Sequence, residues 1–166
     1  MKLGTYISPG GDLAAAIDLV RRAEDLGYDS AWVTHGLGRD SFLVLAAYGA
    51  ATKTLRLGNG VVPIYPRHPV AMAQAALSLS EITGGRFRLG IGVSHKPAME
   101  QMLGLTLAKP LTAMREYVAV LRGAFGTGAA FDGTMYHAHW AMALPTRLPA
   151  PPIYLATLSV KMLELV

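Results

Sequence analysis

The stretch from Leu57 to Pro69 gathers the residue types best able to serve a ligand. Gly58 and Gly60 remove side chains from what reads as a strand, which lets a bound group approach the backbone closely or marks a bulge. Three prolines then turn the chain, and Pro69 suits the first position of a helix, where its missing N–H costs nothing. Arg67 and His68 stand at the mouth of this strand-to-helix turn, the place where parallel sheets bind their ligands. Arg67 is the expected substrate contact, suited to an anionic group, with a neutralising carboxylate as its other reading. His68 reads as scaffolding. His35, at the carboxyl end of an earlier strand, is the expected catalytic group, because imidazole titrates near neutral pH and can donate a proton there. Its alternative is a hydrogen-bonded loop histidine. Asp40 reads as a helix cap. His137 and His139 share one face of a strand. Two imidazoles without a third ligand make a poor metal site, so no metal is expected.

Composition narrows the functional classes. The chain has 166 residues, 52% of them hydrophobic and 16% charged, a balance suited to buried parallel strands. The formal net charge is only +4 and the basic residues are scattered, which gives no case for nucleic acid. There is no cysteine, hence no disulfide, thiolate metal site or cysteine nucleophile. No apolar run approaches the ~20 residues needed to cross a bilayer, and Met1-Lys2 leads into a short strand rather than a secretory signal. A cytoplasmic protein is expected. Neither a nucleophile elbow nor a Gly-Lys-Ser/Thr phosphate loop is present, so no covalent chemistry of the chain's own is evident.

The elements that must position these residues alternate regularly. A strand over Leu3–Ile7 leads to a helix capped by Asp12 and ended by Gly27. A strand over Ser30–Thr34 leads to a helix from Asp40 or Ser41 to Ala51. A third strand spans Thr54–Val62, followed by a helix over Pro69–Ile82, and a fourth strand spans Phe87–Val93. His95–Leu103 reads as a short helix or an ordered loop. A helix from Pro110 buries Leu111, Met114, Val118, Leu121 and Phe125, and Ala130–Leu144 reads as a hairpin. Ile153–Ala156 is a fifth strand, and a helix starts at Val160 and runs to Val166. Strand–helix units recurring about every 30 residues match a (β/α)8 barrel, although pattern alone leaves a doubly wound open sheet possible. The absence of a dinucleotide fingerprint after the first strand counts against the latter. The expected fold is α/β, a (β/α)8 TIM-barrel type in one domain over residues 1–166, truncated after the fifth strand. Its uncovered edges predict a homo-oligomer or a C-terminal partner segment.

Several stretches, taken in order, resemble the luciferase-like superfamily and, within it, the oxidoreductases that use the deazaflavin coenzyme F420. They are Ala23–Thr34, Leu55–Val61, Arg67–Pro69, Gly84–Gly92 and Pro152–Ala156, followed by Lys161–Leu163. The resemblance implies a redox ring lying across the carboxyl ends of the strands. It also implies a non-prolyl cis peptide at Gly60–Val61 backing that ring, with Asn59 and Val62 beside it. Val93, Ser94 and His95 match a segment touching the cofactor's phosphate-bearing arm, and Thr157, Leu158 and Ser159 match a second one. Two positions depart from the family pattern. The Asp-His pair common at the end of the second strand is His35-Gly36 here, and a Gly-Pro pair after the fifth strand is Ser159-Val160. The implied function is hydride transfer between coenzyme F420 and a small organic substrate. FMN-dependent monooxygenation and a non-catalytic cofactor-binding form are the alternatives.

Overall fold

Capping chemistry decides where the helices begin. In the computed structural model, which describes residues 2–36, 38–141 and 148–165, the Asp12 carboxylate accepts from the N–H groups of Ala14 and Ala15 and opens α1 (Leu13–Asp25). Gly27, at φ +79°, closes that helix in the left-handed conformation glycine favours. Asp40 accepts from Phe42 N–H to open α2 (Ser41–Ala51), and the His68 ring accepts from Val70 N–H at the start of α3 (Pro69–Ile82). The remaining helices are α4 (Pro110–Phe125) and the short α5 (Val160–Leu163). The strands are β1 (Gly4–Tyr6), β2 (Ser30–Val33), β3 (Arg56–Asn59), β4 (Val62–Pro63), β5 (Phe87–Gly92), β6 (Ala129–Asp132), β7 (His137–Trp140) and β8 (Ile153–Leu155).

Strand order settles the architecture. Parallel pairs run β1–β2, β2–β3, β3–β5, β4–β5 and β5–β8, so spatial order follows chain order. A doubly wound sheet would reverse at a switch point. This is the α/β, TIM-barrel type of winding that the repeat predicts. The third strand is not continuous as expected over Thr54–Val62. It breaks after Asn59 and resumes at Val62, with a cis Gly60–Val61 peptide between, and both pieces pair with β5. The neighbouring strand makes room for the break, since a Cβ on Gly90 would collide with the Asn59 carbonyl oxygen. His95–Leu103, open between helix and loop in sequence, contains a π-helical turn over Pro97–Met102. The antiparallel hairpin β6–β7 forms within the expected stretch, of which residues 142–144 lie outside the described residues, as does Val166.

Alternation along the strands puts Leu57, Phe87, Leu89 and Ile91 under the helices, where all four are fully buried with Leu45, Tyr48, Met72, Met114, Tyr117 and Leu121. Each such side chain contributes about 1.5–3 kcal/mol by leaving water. The buried face of α4 is rotated from the expected one. Tyr117, Val120 and Ala124 fill it beside Met114 and Leu121, while Leu111, Val118 and Phe125 are only half-buried. The same face holds Glu116, whose carboxylate accepts from the N–H groups of Thr134, Met135 and Tyr136 and so pins the β6–β7 turn. Among the described residues no helix is long and apolar enough to cross a membrane.

At the amino ends of the strands, polar groups close the structure. Glu24 accepts from the N–H groups of Lys53, Thr54 and Leu55 and from the Thr54 hydroxyl. Arg86 donates to the carbonyls of Gly49, Thr52 and Leu55 and to the Thr52 hydroxyl. Asp29 pairs with Arg56 at 2.8 Å.

Candidate functional site

A cavity of about 560 Å³ opens at the carboxyl ends of the strands. That volume lies within the roughly 300–1,000 Å³ usual for small-molecule sites. Its walls come from the loop after β2 (Thr34, His35, Gly36), the break between β3 and β4 (Gly60, Val61), the loop after β5 (Ser94, His95) and the π-helical turn (Ala98, Met99, Met102, Leu103). Pro63 and Pro66 complete the lining. The wall is mainly apolar, with a few convergent polar groups, as a site that must exclude water and orient a ligand requires.

Five of the residues singled out in sequence meet here: His35, Gly60, Val61, Ser94 and His95. At Gly60 a Cβ would meet nothing within 4 Å, so the backbone faces open space that a flat group can occupy. Its amide donates to the Val33 carbonyl at 2.9 Å, and its carbonyl accepts from the Thr34 hydroxyl at 3.3 Å. Ser94 sits at φ +65°, a conformation uncommon outside glycine, at the turn from β5 into the cavity wall.

His35 is a half-buried polar group of the wall, as is Ser94. Its Nδ1 lies 3.3 Å from the Ser41 backbone N–H and 3.0 Å from Ser41 Oγ. A backbone N–H can only donate, so Nδ1 is an acceptor and the neutral ring carries its proton on Nε2. Burial lowers the imidazole pKa; Asp40 opposes that effect and Arg67 adds to it. The neutral form therefore prevails at neutral pH. Ser41 is itself fully buried, and its Oγ accepts from Asn59 Nδ2 at 2.6 Å.

The other predicted positions lie elsewhere. Asn59 is buried behind the wall, and Val62 is core. Val93 packs half-buried against the core. Thr157, Leu158 and Ser159 follow β8 outside the cavity lining; Ser159 caps α5, and Leu158 is 95% exposed. Arg67 donates to Asp40 at 2.8 Å, its guanidinium lies 4.8 Å from the Phe42 ring centre, and it does not line the cavity. The carboxylate partner raised as its alternative is thus Asp40. His137 and His139 both contact Asp132 Oδ1 on the hairpin. Sequence reasoning missed Ser41, Met99, Met102 and Leu103. The first looked like part of a helix cap, and no local pattern ties the π-helical turn to the cavity.

The family profile described as luciferase-like monooxygenase matches residues 1–166. The chain belongs to the luciferase-like monooxygenase family. It is 40% identical over 124 residues to a Mycobacterium tuberculosis protein provisionally named a coenzyme F420-dependent oxidoreductase, covering 74% of this chain and 36% of that one. It is 35% identical over 167 residues to 5,10-methylenetetrahydromethanopterin reductase of Archaeoglobus fulgidus, covering 99% of this chain and 50% of the relative. In fold it matches the coenzyme F420-dependent tetrahydromethanopterin reductase of Methanopyrus kandleri, with a TM-score of 0.85 and 24% identity over 99% of this chain and 52% of that structure. This member of the luciferase-like family therefore spans between 36% and 52% of the length of these relatives.

Proposed function

We propose that this chain carries the cofactor site of an oxidoreductase that transfers a hydride between coenzyme F420 and a small organic substrate. The observation behind this reading is the carboxyl-end cavity, in which an open glycine backbone, an apolar wall and His35 converge. Two relatives whose names include coenzyme F420 add support. The residues suit such a group. Gly60 and Val61 would offer open backbone to a ring, with Met99, Met102 and Leu103 as an apolar wall of the same cavity. Ser94 and His95, on the cavity wall, would take the anionic arm in this reading, with Thr157–Ser159, outside the lining, as a second contact. When bound, the deazaflavin supplies hydride transfer at its ring. His35, on the cavity wall with Nδ1 engaged by Ser41, would offer its Nε2–H as a hydrogen-bond donor to the reacting groups. Arg67, its charge met by Asp40, holds the loop after β4 in this reading.

The family's description as monooxygenases favours a second reading, in which FMN takes the same cavity. Titrating the folded protein with oxidised coenzyme F420 and separately with FMN, while following cofactor fluorescence, tests both. Saturable change with F420 is the expected result, preference for FMN supports the second reading, and a folded protein that binds neither contradicts both. Self-association in the cytoplasm is part of the proposal, because β1 and β8 each pair on one side only among the described residues. Sedimentation at micromolar concentration is expected to show a dimer or larger species, and a stable monomer would contradict it.

A further inference from the structure

The amide of Asn59 is fully buried, and its Oδ1 has no hydrogen-bond partner among the described residues. A leucine would fill that position without an unsatisfied polar atom, so the amide calls for another explanation. Its hydrogen bond from Nδ2 to Ser41 Oγ, at 2.6 Å, supplies one. An amide nitrogen only donates, so the Ser41 oxygen is the acceptor in that contact and its own hydrogen is left for another partner. The imidazole Nδ1 of His35 lies 3.0 Å away.

We propose that Asn59 and Ser41 are positioning residues that hold His35 in the Nε2–H tautomer and turn that N–H toward the cavity as a neutral hydrogen-bond donor. The polarity of the relay runs one way: Asn59 Nδ2–H to Ser41 Oγ, then Ser41 Oγ–H to His35 Nδ1. The Ser41 backbone N–H, in the first turn of α2 and free of an intrahelical partner, donates to the same Nδ1 at 3.3 Å. Two donors on one nitrogen exclude a proton there, and the positive end of α2 opposes an imidazolium as well. The charged groups acting on His35 are Asp40, which favours the imidazolium, and Arg67, which disfavours it. These two are paired at 2.8 Å, so their fields largely cancel at the ring. His95 lines the same cavity. A neutral imidazole of this kind suits a carbonyl-type oxygen, which it can polarise by donating a hydrogen bond without first being protonated to imidazolium.

The catalytic use of His35 rests on the proposed function, whereas the relay is a property of the protein itself and is testable without cofactor. Nitrogen NMR of histidine-labelled protein, titrated with acid, reads the tautomer and the midpoint directly. His35 is expected as the Nε2–H form, with a midpoint below the ordinary 6.5. Ser41→Ala leaves only the backbone N–H, at 3.3 Å, on Nδ1, and Asn59→Leu frees the direction of the Ser41 hydroxyl, so each is expected to raise the midpoint by about half a pH unit or more. Ser41→Thr, which keeps the hydroxyl, restores the wild-type signature. Spectra of the other four histidines report that each variant is folded, and Asn59→Leu serves if Ser41→Ala does not fold. A wild-type His35 that is Nδ1–H or doubly protonated at neutral pH overturns the relay. So does a folded variant whose midpoint is unchanged. Failure of the wild type to bind either cofactor would remove the proposed function while leaving these signatures intact.

Discussion

The two ends of the parallel strands are built on opposite plans. At the amino end Glu24 and Arg86 serve closure: Glu24 accepts three backbone N–H bonds, and Arg86 reaches three carbonyls. At the carboxyl end the same strands stop short, break at Gly60–Val61 and leave a cavity whose Gly60 backbone faces open space. One end secures the sheet, and the other offers it to a ligand. That division is what a parallel sheet permits, because its loops at one end can vary while those at the other hold the strands together.

Between the two ends, Gly90 is where the largest effect is expected. A side chain there meets the Asn59 carbonyl, so Gly90→Val should destabilise the chain by about 3 kcal/mol or more and disturb the cavity as well. Denaturant unfolding checks it, and a loss under 1 kcal/mol (~) would show that the broken strand shifts freely.

Glu24→Ala comes next and belongs to the amino end alone. It leaves three backbone donors without their acceptor and is expected to cost about 2 kcal/mol with no change in ligand affinity. Burial raises the Glu24 pKa, but hydrogen bonds from Thr54, Leu55 and Lys53 overcome that effect and hold it at about 2. The folded pKa thus lies below the ordinary 4.5, so this contribution is complete above pH 4.5 and disappears as pH falls toward 2. Wild type and variant should therefore converge in denaturant midpoint as the pH is lowered. A gap that stays constant to pH 2 would mean that the carboxylate charge is not the cause.

Asp40→Ala is the mildest of the three, an expected loss of about 1 kcal/mol from the missing cap at α2. It sharpens the comparison because Asp40 stands beside the cavity yet serves structure. Ligand affinity should fall less than threefold (~), and a larger fall would give the Asp40–Arg67 pair a direct part in binding.

Much of the frame was legible in the sequence because it depends on short-range chemistry. Asp12, Gly27, Asp40 and Pro69 mark helix ends through their own backbone and capping preferences, and the recurrence of strand and helix points to the winding. Contacts between distant segments were not legible. Glu116 reads as a surface charge on a helix until its partners at Thr134–Tyr136 come into place, and its presence on the buried face moves that face away from Leu111 and Val118. The strand over Thr54–Val62 reads as one element because strand formers flank Gly58, Asn59 and Gly60, while the place of the break depends on Gly90 in the neighbour. The resemblance located the cis peptide, which no local propensity indicates. Ser41 and Asn59 stand 18 positions apart, and their link to His35 exists only once β3 lies against α2.

The most direct test of the division between the two ends is one coenzyme F420 fluorescence titration of the wild type, Gly60→Ala and Glu24→Ala, each with its unfolding midpoint. The added methyl at Gly60 enters open space beside the backbone, so it should leave that protein folded while weakening cofactor binding about tenfold or more. Glu24→Ala should lower stability and bind cofactor like the wild type. Unchanged affinity in folded Gly60→Ala, or weakened affinity in folded Glu24→Ala, would contradict the account.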